Sequence, residues 1–115
     1  MKTSEVTHAM LELARERAEK GYNWLLEAGQ VHGLNINLVN LETLQLSSDS
    51  ACILAQAGDS TYCEVINGLL KADVVGEDEP DTWSEERGFA NSPGVTYRAL
   101  TLVWQDLLTR ERGED

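Results

Sequence analysis

Cys52 and Gln56 stand four residues apart in the run Cys52-Ile53-Leu54-Ala55-Gln56. That spacing puts both on one face of a helix, and a cysteine near a helix start can lose its proton more readily and act as a nucleophile. A nucleophile also needs a base. The only histidines are His8, in a helical stretch, and His32, in a loop-like one, and nothing in the sequence places either beside Cys52. The alternative is a buried thiol beside a glutamine that hydrogen-bonds the backbone of the loop from Gly33 to Leu46, in keeping with the general burial of free cysteine. No catalytic residue is assigned on this pattern. Cys52, Cys63, His8 and His32 form no Cys-x-x-Cys or His-x-x-x-His spacing, so no zinc site is expected, and no stretch meets the requirements of a cofactor site.

The second chemical feature is charge. Between Asp73 and Arg87 lie Asp73, Glu77, Asp78, Glu79, Asp81, Glu85 and Glu86 against a single arginine, a net of -6 out of the chain's -11. Such carboxylates can hold calcium, but they lack the ligand order of an EF-hand, and a solvated loop is the expectation. Trp83 stands alone among them. An aromatic in that setting is either a lid over the core or an anchor at an interface, where tryptophan is enriched.

These residues must be positioned by helices. The 115 residues, 42% hydrophobic and 25% charged, suit one soluble domain with a single core. The pattern predicts a helix from Thr3 or Ser4 to about Gly29, with Val6, Met10, Leu13, Ala14, Ala18, Tyr22, Leu25 and Leu26 as its apolar face. Gly21 inside it marks a kink or a close approach. Ile36, Leu38, Leu44 and Leu46 alternate as strands do, so a short two-stranded element near 36–46 is one reading, and a turn of helix capped by Asn40 is the other. Ser47–Gly58 reads as a short central helix with Ser48, Asp49 or Ser50 as cap and Gly58 in the left-handed terminal position. A second helix follows from Thr61 to about Lys71. An exposed acidic loop is expected over 73–83, then one turn capped by Ser84 and stopped by Gly88, with Phe89 folding back on the core. The last helix runs from about Val95 to Arg110 and carries Tyr97, Leu100, Val103, Trp104, Leu107 and Leu108; residues 113–115 are expected to fray. The fold class is mostly α, α+β at most, with long first and last helices around a short central pair.

In order, Trp24-Leu25, the stretch Val39–Leu44, the Cys52-Ile53-Leu54-Ala55-Gln56 box, the pair Gly88-Phe89, and the helix with Tyr97, Ala99, Leu100, Thr101 and Trp104 resemble a family of small uncharacterised proteins of actinobacteria and their phages. The family's box reads Cys-Val-Leu-Gly-Gln, so Ala55 replaces its glycine. The segment around Glu77–Trp83 is also longer here. The resemblance covers most of residues 21 to 104. It implies a phage accessory protein in a bacterial cytoplasm and brings no agreed function with it.

A net charge of -11 repels phosphate backbones and anionic lipid. Direct nucleic-acid and membrane binding are therefore not expected. Neither terminus reads as a targeting signal, and two cysteines without one suggest reduced thiols in a cytoplasm. The leading expectation is a non-enzymatic protein that presents Trp83, Glu77, Asp78, Glu79, Asp81, Glu85 and Glu86 to a basic surface of a host protein. Its rival is a small thiol-dependent enzyme or redox protein using Cys52. A virion subunit has little support in a chain of this charge without an extended arm.

Overall fold

The computed structural model describes residues 6–77 and 79–113. Helix α1 (His8–Ala28) starts at Thr7, whose hydroxyl accepts from the Met10 amide at 3.1 Å. The cap is therefore four residues beyond Thr3, which lies with Ser4 outside the described residues. The stripe that α1 buries is Ala14, Ala18, Gly21 and Leu25, while Leu26 is 53% exposed and belongs to the outer face. The small residues have a physical use. A Cβ on Gly21 would overlap the Arg87 carbonyl oxygen, and one on Gly88 would sit 2.8 Å from the Ala18 nitrogen. The chain at Arg87–Phe89 thus lies directly on the backbone of α1, and of the two readings of Gly21 close approach is the right one.

No strand occurs among the described residues, so the two-stranded element near 36–46 is not formed. Two 3-10 turns, Gly29–His32 and Ile36–Leu38, are followed by a turn whose Asn40 side chain accepts from the Glu42 amide. The connection from Gly33 to Cys52 has almost no ladder of its own. Buried backbone groups must still find partners, and here side chains from the last helix and its C-terminal end supply several of them. Thr101 accepts from the Leu46 amide at 3.2 Å, Gln105 donates to the Leu41 carbonyl at 3.3 Å, and Arg112 donates to those of Ile36 and Val39 at 3.1 and 2.9 Å.

The central helix is shorter than its apolar run. Helix α2 spans Ile53–Gly58, with Cys52 as an N-cap whose side chain makes no capping bond. Ser48 does not cap α2; its hydroxyl accepts from the Ser50 and Ala51 amides and closes a turn ahead of the helix. Nor does Gly58 take the left-handed position. Asp59 does, at φ 53, while an added Cβ on Gly58 would meet Val65 at 2.9 Å and Leu34 at 3.1 Å. Gly58 is there for packing room. Ile53, Leu54 and Ala57 are wholly buried, so α2 is central as expected. Full burial of a side chain the size of Ile53 or Leu54 contributes about 1.5–3 kcal/mol.

Helix α3 (Tyr62–Lys71) is capped by Thr61, which accepts from the Glu64 amide at 3.2 Å. Its Ile66 and Leu69 are buried and its Leu70 is 41% exposed. Helix α4 (Pro80–Glu86) opens with proline at its first turn, where the fixed φ and missing N–H cost nothing. The helix therefore begins inside what the sequence suggested was loop over 73–83. It ends in a Schellman motif, with Phe89 N–H to the Ser84 carbonyl at 2.9 Å, Gly88 N–H to that of Glu85 at 3.2 Å, and Gly88 at φ +73. Helix α5 (Tyr97–Glu111), capped by Thr96, packs along α1 and buries Leu100, Val103, Trp104, Leu107 and Leu108. The frayed-tail expectation falls mostly outside the described residues, at 114–115.

Candidate functional site

All three tryptophans and the single phenylalanine of the chain meet in one cluster. Trp24 from α1 stands edge-on to Trp83 from α4, centroids 5.0 Å apart at 88°. Phe89 lies 5.9 Å from Trp83 and stacks on Trp104 from α5 at 5.9 Å and 14°. Trp104 donates its indole N–H to the Gly88 carbonyl at 2.7 Å. Trp83 is 1% exposed, with the Arg87 guanidinium 4.5 Å above its ring and donating to the Trp83 carbonyl. The expectation that Trp83 anchors a partner is overturned: because α4 starts at Pro80, Trp83 falls on the inward turn and is the lid of the core. His32 stacks over Trp24, and His8 pairs with Glu12 on the outer face of α1.

Cys52 is 2% exposed. Burial pushes its thiol pKa up and nearby Asp49 pushes the same way; N–H groups of the α2 start oppose only in part. Gln56 does what the structural alternative proposed. Its Oε1 accepts from the Asn40 amide at 2.6 Å, and its Nε2 donates to the Ala51 carbonyl at 2.8 Å. Cys63 is exposed, and no disulfide links the two cysteines. Among the described residues no group of three or more His, Cys, Asp or Glu side chains is arranged to hold a metal ion.

What the structure does bring together is a cleft of about 230 Å³ beside Cys52. One wall is the turn at Ser48 and Asp49, the second is Tyr62 at the start of α3, the third is α4, and Asn91 and Tyr97 close it. Asp81 and Glu85, four apart, line it from the α4 side. Among the described residues no Lys, Arg or His lines it. Two bonds fix the shape. The Tyr62 amide donates to the Asp49 carbonyl at 2.7 Å, and the Tyr62 hydroxyl is 2.7 Å from the hydroxyl of Ser84, which is wholly buried. Ser84 is therefore not a cap but the inner partner of Tyr62. Burial raises the Tyr62 pKa, Ser84 lowers it, and Asp81, Cys52 and Tyr97 raise it further.

Of the acidic residues expected to bind a partner, Glu77, Glu79, Asp81 and Glu86 are exposed and Glu85 is half-buried, whereas Asp78 lies outside the described residues. Only Asp81 and Glu85 reach the cleft. Tyr62 and Asp49 were missed by sequence reasoning; each looked like an ordinary helix-start residue. Comparison with known families, curated proteins and solved structures returns no match. Among the described residues no helix is long and apolar enough to cross a membrane.

Proposed function

We propose that this chain is a small non-enzymatic interaction protein whose acidic α4 face and adjoining cleft bind a basic surface on a host protein, one that normally meets nucleic acid. In this reading it is a phage or phage-derived accessory protein acting in a bacterial cytoplasm, as its motif order suggests. The observation that carries the reading is the row of Glu79, Asp81 and Glu85 around α4, continuous with a cleft that contains no cation. Clustered negative charge of this kind speeds encounter with an oppositely charged partner and sets orientation. The burial and raised pKa of Cys52 weigh against the thiol-enzyme reading.

Trp83 has no part in the contact, so the test leaves it alone. The tagged chain and a variant with Glu77→Gln, Glu79→Gln, Asp81→Asn, Glu85→Gln and Glu86→Gln are used to capture proteins from an actinobacterial lysate. The expected result is a basic protein retained by the parent at low salt, released as salt rises, and absent from the variant. An identical set of captured proteins from parent and variant, or captured proteins with no basic surface, refutes the reading.

A further inference from the structure

Resting on that reading, we propose that the cleft between Asp49, Tyr62 and α4 is a socket for one arginine side chain of the partner. Its volume of about 230 Å³ is below the ~300–1,000 Å³ of sites for drug-sized ligands, which suits a single side chain. Asp49 on one wall and Asp81 and Glu85 on the other supply negative charge from two sides, and the lining holds no cation of its own. Two tyrosine rings, Tyr62 and Tyr97, border the same space. A guanidinium is planar, forks toward carboxylates and stacks on aromatic faces, whereas an ammonium is a compact, strongly hydrated point charge. The combination of carboxylates and rings therefore selects arginine over lysine. The socket is also built in advance. The bonds from Tyr62 to the Asp49 carbonyl and to the Ser84 hydroxyl tie both walls to α3, so little ordering remains to be done on binding.

The test needs no partner protein. The 15N-labelled full chain is titrated with Nα-acetyl-arginine amide, its neutral isostere Nα-acetyl-citrulline amide, and the corresponding lysine compound, followed by amide chemical shifts. The arginine compound is expected to shift Asp49, Cys52, Tyr62, Asp81 and Glu85 with saturation in the millimolar range, the lysine compound to bind more weakly, and the citrulline compound not to saturate. Asp81→Asn with Glu85→Gln should weaken arginine binding at least about fivefold, while Glu16→Gln with Glu19→Gln, exposed on α1 and away from the cleft, changes it less than about twofold. Unchanged shifts outside the cleft establish that each variant is folded. Equal binding of citrulline, lysine binding as tight as arginine, shifts spread without saturation over the acidic surface, or equal weakening by both double variants overturns the socket. Because capture from a lysate is a separate measurement, the socket can fail while the interaction reading stands, and the reverse.

Discussion

The Cys52 thiol is held protonated by its surroundings, and this has consequences for rate and for stability. In the folded chain, exposed Cys63 should react with a thiol reagent at the rate of a free thiol, and Cys52 only at the rate of unfolding; a Cys63→Ser variant isolates the slow site. Fast labelling of Cys52 would revive the thiol-enzyme reading. Stability follows the same group. Its folded pKa is raised above the ordinary 9.0, so below that value both states carry the proton and the stability is complete. As pH rises past 9.0 the unfolded chain ionises first, and stability is lost as pH climbs through the folded value. Tyr62, raised above 10.0, adds a second loss beyond it. Denaturation midpoints should therefore fall with increasing slope above pH 9.0, and Cys52→Ala should flatten the part between 9.0 and 10.0. Trp83 is tested by the same denaturation measurement. At 1% exposure its replacement by alanine should cost about 3–5 kcal/mol, whereas a cost under about 0.5 kcal/mol would mark a surface side chain.

Two glycines in helices separate propensity from packing. By propensity alone either one gains about 1 kcal/mol on becoming alanine. Gly68, inside α3, has nothing within 4 Å of an added Cβ, so Gly68→Ala should stabilise by about that amount. Gly21 is blocked by the Arg87 carbonyl, a backbone atom that cannot rotate away, so Gly21→Ala should destabilise by about 1–3 kcal/mol. Urea midpoints that move the same way for both would show that Arg87–Phe89 does not lie on α1. The pair also shows what sequence can and cannot convey about elements. The last helix was legible because its six apolar positions repeat at helical spacing, and the Gly88-Phe89 stop because a Schellman end is a local event. The start of α4 was misjudged because Pro80 and its acidic neighbours suggest a loop, while the deciding fact, the place for Trp83 against Trp24 of α1 and Phe89, is tertiary. Ser47–Cys52 carried helix-start residues, yet the Ser48 hydroxyl closes its own turn there and the helix begins five residues later. Gln56 was readable as a structural tie because an amide four residues from a buried thiol has few other uses. Tyr62 and Asp49 became partners only when α2 and α3 folded against each other.

At the scale of the whole molecule, three of the nine Lys and Arg residues are committed to the frame of the fold. Arg112 holds the Ile36 and Val39 carbonyls, Arg17 meets the Ser92 hydroxyl, and Arg87 covers Trp83. Arg15 and Arg110 both converge on Asp106. Glu77, Glu79 and Asp81 are exposed and Glu85 is half-buried on one side of the molecule, which carries a net charge of -11 on a body whose radius of gyration is 13.4 Å. The screening length decides how much this matters. At about 0.01 M salt it is roughly 30 Å, longer than the molecule's radius, so every carboxylate feels every other; at 0.15 M it is about 8 Å and only neighbours interact. Unfolding spreads the charges, so self-repulsion opposes the folded state most at low salt. Raising sodium chloride from about 0.01 to 0.15 M should raise the thermal midpoint by about 4 °C, the shift that about 1 kcal/mol produces in a domain near this size. Neutralising Glu77, Glu79, Asp81 and Glu85 as amides should raise the low-salt midpoint and shrink the salt response together. A midpoint that falls with salt, or a variant as salt-dependent as the parent, would mean that ion pairs stabilise this surface and that it is not poised to receive a basic partner.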